Sequence, residues 1–286
     1  MNINWFPGHM TKSMRMIESS VKSVDFIIYV LDSRAPYSCL NPDFEKFVAN
    51  KPVVYALNKA DLGLKSRVDE WLKSLSGKNR IAVTTVSTAS GSASAIITAA
   101  SRLCGEKLER YRKKGVKQTI RGMVLGVPNC GKSTLINCLC NSGKTVTGNR
   151  AGVTRGKQWV RVNDYLELLD TPGTLYPKLV NQTLARRLAF IGSIRDEVTD
   201  TTELALELIE ELKAYDESVI ETRYKISSDS DANTILESAA HSRGCLLKGG
   251  VPDIDRMAVA LLDDFRKGRL GKITLEKAED YDLGTV

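Results

Sequence analysis

The sequence predicts an α/β fold, a doubly wound domain with a mostly parallel sheet, followed by a small all-α domain. Short apolar runs alternate with helical patterns through the first 179 of the 286 residues. Such alternation is typical of βαβ units and a parallel sheet. Beyond residue 179 no convincing strand pattern remains. We therefore expect one domain at residues 1–179 and a helical domain at residues 180–286.

The predicted strands are continuous apolar runs, which are typical of strands covered on both faces. They occupy residues 26–31, 53–57, 81–86, 121–126 and 166–169, and residues 158–162 are expected to pair beside the last of them. Helical patterns lie between several of these runs, at residues 14–24, 66–75, 93–103 and 133–140.

The second domain is expected to consist of helices joined by loops. Residues 203–212 place three leucines on one helical face. Asp255 is expected to cap a further helix that carries Met257, Leu261 and Phe265 on its apolar face.

The composition favours a cytoplasmic protein. The formal net charge of +7 suits nucleic acid or an anionic membrane surface as a partner, and it also suits solubility alone. Six cysteines form no CxxC pair and only two histidines occur, so a structural zinc site is not expected. Scattered thiols fit a reducing compartment. Neither a secretory signal nor an apolar stretch long enough to cross a bilayer is visible, so we expect no membrane partner.

A phosphate-binding loop is predicted at residues 126–133, where GVPNCGKS matches the pattern GxxxxGKS. A predicted strand precedes it and a predicted helix follows, so backbone N–H groups and the helix N-terminus would surround the phosphates. Lys132 would have the catalytic role of neutralising the β- and γ-phosphates, and Ser133 would bind Mg²⁺. The residues assigned to nucleotide binding here are Asn129, Cys130, Gly131, Lys132, Ser133 and Thr134. The alternative is a glycine-rich turn that matches by chance.

A guanine-selecting motif is predicted at Asn58, Lys59, Ala60 and Asp61, where the second predicted strand ends. Asp61 would accept hydrogen bonds from N1–H and the exocyclic amine of guanine, whereas adenine would leave its carboxylate unpaired. Asn58 and Lys59 would support the base and the phosphate loop. A capping asparagine followed by an ordinary Lys-Asp turn would look the same.

Three weaker matches complete a nucleotide site. Val86 and Ser87 belong to a loose match to the loop that supports the base from its other side. Asp170 and Gly173 begin and end Asp-Thr-Pro-Gly, in which the carboxylate would hold Mg²⁺ through water and the glycine N–H would sense the γ-phosphate. Thr154 is a candidate catalytic switch residue that would bind Mg²⁺ only with the triphosphate present. A tight Pro-Gly turn is the alternative for residues 170–173.

The order of these motifs is reversed. Ordinary GTPases carry the phosphate loop first, whereas here the guanine-selecting motif precedes it. Together with WFPGHM at residues 5–10 and Asp32-Ser33-Arg34, this order resembles the circularly permuted GTPases of the YlqF/RbgA family, ribosome biogenesis GTPase A. The resemblance covers the first domain from end to end, and the chain length and helical tail also fit.

The resemblance implies a function and several partners. Members of the family act in late assembly of the large ribosomal subunit, bind ribosomal RNA, and hydrolyse GTP when docked there. We therefore expect GTP and GDP, a large-subunit precursor and rRNA as partners, Mg²⁺ as the cofactor, and no DNA partner. A GTP-dependent RNA-modifying or metabolic enzyme is the alternative, although the tail contains no second catalytic constellation.

The resemblance also implies an unusual catalytic residue. Many GTPases orient the attacking water with a glutamine directly after the glycine of this motif, but Thr174 stands there. Family members have an apolar residue at that position, so Thr174 is a departure. The family's proposed substitute is the histidine of the opening motif, which corresponds to His9. An ordinary surface imidazole is the alternative.

Asn129 stands where potassium-activated GTPases carry an asparagine. Its carbonyl would help to hold K⁺ near the phosphates, where a cation stabilises developing charge. An asparagine that only stabilises the loop is the alternative.

Two basic clusters are candidate RNA contacts, with solvated helix faces as the alternative. The first cluster includes Tyr111 and consists of Arg110, Arg112, Lys113, Lys114, Lys117 and Arg121. The second lies in the tail and consists of Arg266, Lys267, Arg269 and Lys272. Because the permuted order places the tail directly after residues 170–173, we expect nucleotide state to reorient it.

Overall fold

Six strands form the sheet at the centre of the first domain. The structure, a computed structural model, describes residues 3, 8–89, 91–115, 119–142, 158–176, 179 and 181–283, with only the backbone of residues 9, 141 and 142. The strands are β1 (Phe26–Asp32), β2 (Val53–Asn58), β3 (Arg80–Thr84), β4 (Ile120–Leu125), β5 (Gln158–Asn163) and β6 (Leu166–Asp170). Their order is β3-β2-β1-β4-β6-β5, and only β5 runs antiparallel to its neighbour. This confirms the predicted mostly parallel sheet and all six predicted strands.

The reversal of strand order locates the place where a ligand would bind. From β1 the chain proceeds to β2 and β3 on one side, and it then returns to place β4 on the other side of β1. In open α/β sheets the crevice at the carboxyl ends of such strands is the usual ligand site. Asp32 ends β1 opposite Asn58, and the predicted phosphate loop follows β4 at the same edge.

The first domain places helices around this sheet, and the tail described after residue 181 is helical. The helices of the first domain are α1 (Gly8–Ser20), α2 (Glu45–Val48), α3 (Lys65–Leu75), α4 (Ser92–Leu103), α5 (Gly105–Lys113) and α6 (Lys132–Ser142). Those of the tail are α7 (Gln182–Phe190), α8 (Thr201–Tyr215), α9 (Ser218–Tyr224), α10 (Ala232–Arg243) and α11 (Ile254–Arg266). No helix in the described part of the chain has the length and apolarity needed to cross a bilayer.

The core of the tail forms around α8. Its predicted leucine face is buried, and the helix packs against α10 and α11. The predicted cap of α11 was wrong by two residues. The carboxylate of Asp253 accepts from the N–H of Arg256 at 3.1 Å, whereas Asp255 lies in the first turn and accepts from the hydroxyl of Thr202 at 2.9 Å. Two aspartates stand beside the helix start, and only the backbone geometry distinguishes which of them caps it.

The chain after α11 returns to the first domain. The N–H of Ile273 donates to the carbonyl of Leu62 at 2.9 Å, and that of Leu275 donates to the carbonyl of Arg34 at 2.8 Å. The last strand, β6, ends at Asp170 and the first tail helix, α7, begins at Gln182, while the segment after α11 packs with the sheet domain.

Glu276 fixes this returning segment. Its buried carboxylate accepts from the backbone N–H groups of Tyr37 at 2.6 Å and Ser38 at 3.2 Å. The indole N–H of Trp71 donates to its carbonyl oxygen at 3.1 Å. Burial raises the pKa of Glu276 above its ordinary value, against the lowering effect of these hydrogen bonds.

Candidate nucleotide site

The guanine-selecting motif and the phosphate loop are in direct contact. The side-chain amide of Asn58 donates to the carbonyl of Cys130 at 2.9 Å. The ammonium group of Lys59 donates to the carbonyl of Asn129, also at 2.9 Å. The two motifs are reversed along the chain and adjacent in space, because β1 alone separates the strands that carry them.

Asn58, at the end of β2, joins the loop after β3 to the phosphate loop through one buried side chain. Its carbonyl oxygen accepts from the hydroxyls of Thr85 at 3.0 Å and Ser87 at 2.7 Å, while its amide donates to the phosphate loop. Ser92 stabilises the loop that follows β3, since its hydroxyl accepts from the N–H of Val86 and donates to the carbonyl of the same residue, both at 2.8 Å. The structure therefore brings Val86 and Ser87 to the guanine-selecting motif.

Asp61 is presented to solvent beside this network. Lys59 has a left-handed backbone, with φ of 55°, which turns the chain out of the strand. The N–H of Ala60 donates to the carbonyl of Thr85 at 3.2 Å and so fixes the turn. Asp61 is exposed, and within the described residues its carboxylate accepts no hydrogen bond. It can therefore accept the donors of a guanine base without first losing a partner.

The predicted phosphate loop leads from β4 into α6. Lys132 begins α6, and its ammonium group lies back over the loop, donating to the carbonyls of Gly126 at 3.0 Å and Val127 at 2.7 Å. Ser133 is half-buried and Thr134 is exposed in the first turn of the helix. An anion at this helix N-terminus would meet backbone N–H groups and the positive end of the helix dipole.

Two glycines permit close approaches around the loop. Gly131 has a φ of 100°, and a Cβ there would collide with the amide of Asn58. At Gly173 a Cβ would lie 2.7 Å from the Cα of Pro128 and 2.8 Å from the Nζ of Lys132. Only glycine lets the Asp-Thr-Pro-Gly segment lie this close to the loop lysine.

The Asp-Thr-Pro-Gly segment follows β6 at the same edge of the sheet. Asp170 is fully buried where β6 ends, and the hydroxyl of Thr171 donates to the carbonyl of Val124 at 2.5 Å. The N–H of Thr174 points to the carbonyl of Gly126 at 3.4 Å. The hydroxyl of Thr174 is buried and has no hydrogen-bond partner among the described residues. Its side chain is enclosed rather than presented to the loop.

A buried ion cluster lies beneath Lys59. Arg34 binds the carboxylate of Asp32 through two nitrogens, at 2.8 Å and 2.7 Å, and Lys59 approaches the same carboxylate at 2.9 Å. Burial alone would raise the pKa of Asp32, but Arg34 and Lys59 outweigh it and hold this pKa well below its ordinary value. Burial likewise opposes the charge on Arg34, while Asp32 raises the pKa of the guanidinium above its ordinary value.

The tail contacts the phosphate loop directly. The side-chain amide of Asn129 donates to the carbonyl of Gly192 at 2.6 Å, and the hydroxyl of Ser193 donates to the carbonyl of Pro128 at 2.7 Å. Gly192 and Ser193 form the turn after α7. A cavity of about 410 Å³ opens beside these contacts, and its lining includes Lys59, Asn129, Arg195 and Arg266.

Some expected site residues lie outside the described part of the chain, and others were missed. Thr154 lies among residues 151–157, which are outside the described residues. The backbone of His9 is in α1, but its side chain is also outside the described part. Sequence reasoning did not assign Thr85, Gly192 or Ser193. Thr85 could have been found, because it follows the strand beside β2 and therefore reaches the same sheet edge.

The site combines a lysine-bearing loop at the start of a helix with an Asn-Lys-x-Asp motif that is hydrogen-bonded to it. Both lie at the carboxyl edge of a doubly wound sheet. Together they define a P-loop GTPase. The family model described as "50S ribosome-binding GTPase" matches residues 121–236. Ribosome biogenesis GTPase A of Bacillus cereus is 34% identical over 283 residues, which cover 98% of this chain and 96% of that protein. That of Thermotoga maritima is 29% identical, over 97% of this chain and 95% of its own length. The chain belongs to the ribosome biogenesis GTPase A family.

Solved structures agree with this assignment. The GNP-bound YlqF from T. maritima is 27% identical, with a TM-score of 0.66, over 94% of this chain and 100% of that chain. A GDP-bound YlqF is 26% identical, with a TM-score of 0.65, over 92% and 99%. The protein is a GTPase with a circularly permuted domain, and the alternative of an RNA-modifying or metabolic enzyme is not favoured.

Proposed function

We propose that this GTPase is a switch in cytoplasmic assembly of the large ribosomal subunit, where it binds rRNA within the precursor particle. The main structural support is a contact between the guanine-selecting motif and the phosphate loop. Asn58 donates to the carbonyl of Cys130, and Lys59 donates to that of Asn129. It unites base selection and phosphate binding in one site. Membership of the ribosome biogenesis GTPase A family supports the ribosomal partner.

The nucleotide would bind with Mg²⁺. The hydroxyl of Ser133 and the carboxylate of Asp170 are the hard oxygen donors that this ion prefers, and both lie at the carboxyl edge of the sheet. Asp170 would act through water, and Thr154 would complete the set when the triphosphate is bound. Lys132 would exchange its loop carbonyls for phosphate oxygens, with the N–H of Gly173 beside it.

Hydrolysis would depend on a residue other than Thr174, whose hydroxyl is enclosed. We propose His9, at the start of α1, as the group that orients water once the protein is docked on the ribosome. His9→Ala is expected to reduce ribosome-stimulated hydrolysis and to leave GDP affinity unchanged. Wild-type stimulated hydrolysis by this variant would exclude the role.

The basic cluster near the phosphate-loop strand is the better supported RNA contact. Four of its cations are exposed and form no ion pair within the described residues, namely Arg110, Arg112 and Lys113 in α5 and Lys114 after it. Arg121 pairs with Glu167 at 3.2 Å, and Lys117 lies outside the described residues. Free surface cations bind phosphate backbones with steep salt dependence.

The tail cluster is largely paired with carboxylates. Arg266 binds Asp196 at 2.6 Å, and Lys267 and Arg269 bind Asp263 at 2.9 Å and 3.1 Å. These ion pairs reduce the positive charge that the cluster offers to RNA. The tail would bind RNA mainly through other residues, or after these ion pairs break.

Co-sedimentation with large-subunit precursors tests the proposal. The protein loaded with a non-hydrolysable GTP analogue is expected to sediment with the particles, and the GDP form to remain in the supernatant. Binding should weaken steeply as salt is raised, and reversal of Arg110, Arg112 and Lys113 to glutamate should weaken it further. Equal sedimentation in both nucleotide states would contradict a switch.

A further inference from the structure

The cluster of Asp32, Arg34 and Lys59 continues from the nucleotide site into the tail. The third nitrogen of Arg34, Nη1, donates to the carbonyls of Phe265 at 3.3 Å and Arg266 at 3.1 Å. The guanidinium also lies 5.4 Å from the centroid of the Phe265 ring. One side chain, only 1% exposed, therefore binds a carboxylate of the GTPase domain and the end of a tail helix.

The contact with α11 is physically favourable at that place. The last carbonyls of a helix lack intrahelical partners and carry the negative end of its dipole, so a cation that donates to them is stabilising. Here the cation comes from the other domain. If α11 moved away, the Nη1 group of Arg34 would lose both acceptors and the guanidinium would lose the Phe265 ring that packs against it.

A second helix end is linked in the same way. Arg266, in the last turn of α11, donates to the carbonyls of Phe190 at 3.1 Å and Ala189 at 2.9 Å, where α7 ends. The turn that follows α7 is the one bonded to the phosphate loop. The ends of α7 and α11 are therefore joined to each other and to both nucleotide-binding motifs.

We propose that Arg34 is a positioning residue of the nucleotide site, which holds Lys59 through Asp32 only while its Nη1 is bound by the end of α11. The placement of the tail helices then sets nucleotide affinity, and by linkage the nucleotide sets the placement of the tail. This coupling begins at the guanine-selecting motif rather than at residues 170–173. It rests on the proposed binding role of Lys59.

We call this coupling from α11 through Arg34 and Asp32 to Lys59 the relay. Two matched substitutions in the whole chain test it. Arg34→Lys keeps a cation beside Asp32 but lacks the planar fork that reaches the carboxylate and the α11 carbonyls together. Arg223→Lys is the control, since Arg223 binds Asp264 of the same helix at 2.8 Å and lies within the tail. We expect Arg34→Lys to weaken affinity for fluorescent GDP about tenfold, a typical coupling factor, and Arg223→Lys to leave it within about twofold.

Amide hydrogen exchange distinguishes lost coupling between the nucleotide and the tail from a simple loss of stability. In the wild type and in Arg223→Lys, GDP should change exchange at residues 264–268 and 190–193, where the two helices end. In Arg34→Lys that response should be lost while thermal unfolding stays cooperative. If Arg34→Lys does not fold, Phe265→Leu, which removes only the ring beside the guanidinium, should show the same loss in weaker form.

These experiments distinguish failure of the relay from failure of the proposed nucleotide site. Wild-type GDP affinity in folded Arg34→Lys, or a wild-type exchange pattern indifferent to GDP, would overturn the relay. Lys59→Ala should weaken GDP binding whether or not the relay exists. If Lys59→Ala binds GDP normally, the proposed role of Lys59 fails, and the relay fails with it.

Discussion

The side-chain amide of Asn129 donates a hydrogen bond to the carbonyl oxygen of Gly192 at 2.6 Å, which ties the phosphate loop to the turn after α7. This bond uses the nitrogen of the amide. The oxygen of the same amide is the atom proposed to hold K⁺, so the bond to Gly192 would orient it rather than compete with it. A tail residue would thereby orient the side chain that we propose as a K⁺ ligand in the GTPase domain.

The rate of GTP hydrolysis should depend on potassium. GTP hydrolysis by the wild type should be about tenfold faster in K⁺ than in Na⁺ at equal ionic strength, because a bound cation stabilises charge that develops on the phosphates. Asn129→Ala should hydrolyse at the slower rate in both salts. Steady-state phosphate release measures the effect. Equal wild-type rates in the two salts would exclude a potassium site.

Removal of the Asn58 side chain should disconnect the loops of the site. Asn58→Ala eliminates three hydrogen bonds and leaves buried polar partners unsatisfied, so we expect unfolding free energy to fall by about 2 kcal/mol. GDP affinity should fall as well. Urea denaturation and nucleotide titration measure both quantities. Asn50→Ala, which removes an exposed amide that donates to the carbonyl of Lys46, is the control and should change neither. A stable Asn58→Ala protein with normal affinity would refute the bridging role.

Asp61 should set the choice of base. Asp61→Asn keeps one acceptor oxygen for the N1–H of guanine but turns an amide N–H toward its exocyclic amine, so one charge-assisted bond worth about 1.5 kcal/mol or more is lost and a donor faces a donor. GTP affinity should fall about a hundredfold. Xanthine carries an oxygen where guanine carries its amine, and the asparagine amide can donate to it. The variant should therefore bind xanthosine triphosphate better than GTP in competition titrations. Unchanged GTP preference would place the base elsewhere.

The buried Asp32 should show a defined pH dependence. Because its pKa in the folded protein lies well below the ordinary 3.8, folding is stabilised by the charged form above that value, and this stabilisation is lost as pH falls toward the folded pKa. Asp32→Asn leaves Arg34 buried without its partner and should cost about 3–5 kcal/mol. Measured by urea denaturation, the difference from wild type should be constant between about pH 5 and 8 and should shrink below about pH 4. A difference that did not shrink as pH fell below about 4 would mean that the pKa of Asp32 is not lowered.

The sheet and the two motifs could be predicted because their signals are local. Continuous apolar runs identify strands such as β1 and β2, and GxxxxGKS and Asn-Lys-x-Asp each occupy a few consecutive residues. Motif placement at strand ends then follows from the parallel sheet.

The contacts between the domains could not be predicted, because they depend on where distant segments pack. Arg34 and Phe265 are separated by 231 residues, and the acceptors on α11 are backbone carbonyls that carry no residue signature. The same holds for Gly192. For the second basic cluster, the partner of Arg266 at position 196 is apparent only in three dimensions, whereas Asp263 stands at i, i+4 spacing from Lys267 and could have been found from the sequence.

Operation of this GTPase by the large ribosomal subunit during its assembly can be measured as single-turnover GTP hydrolysis with and without purified large-subunit precursors. We expect slow hydrolysis by the free protein and at least about tenfold faster hydrolysis when the precursor is added. Small-subunit particles at equal concentration should have no effect. An unchanged rate with saturating precursor would mean that the large subunit does not operate this GTPase.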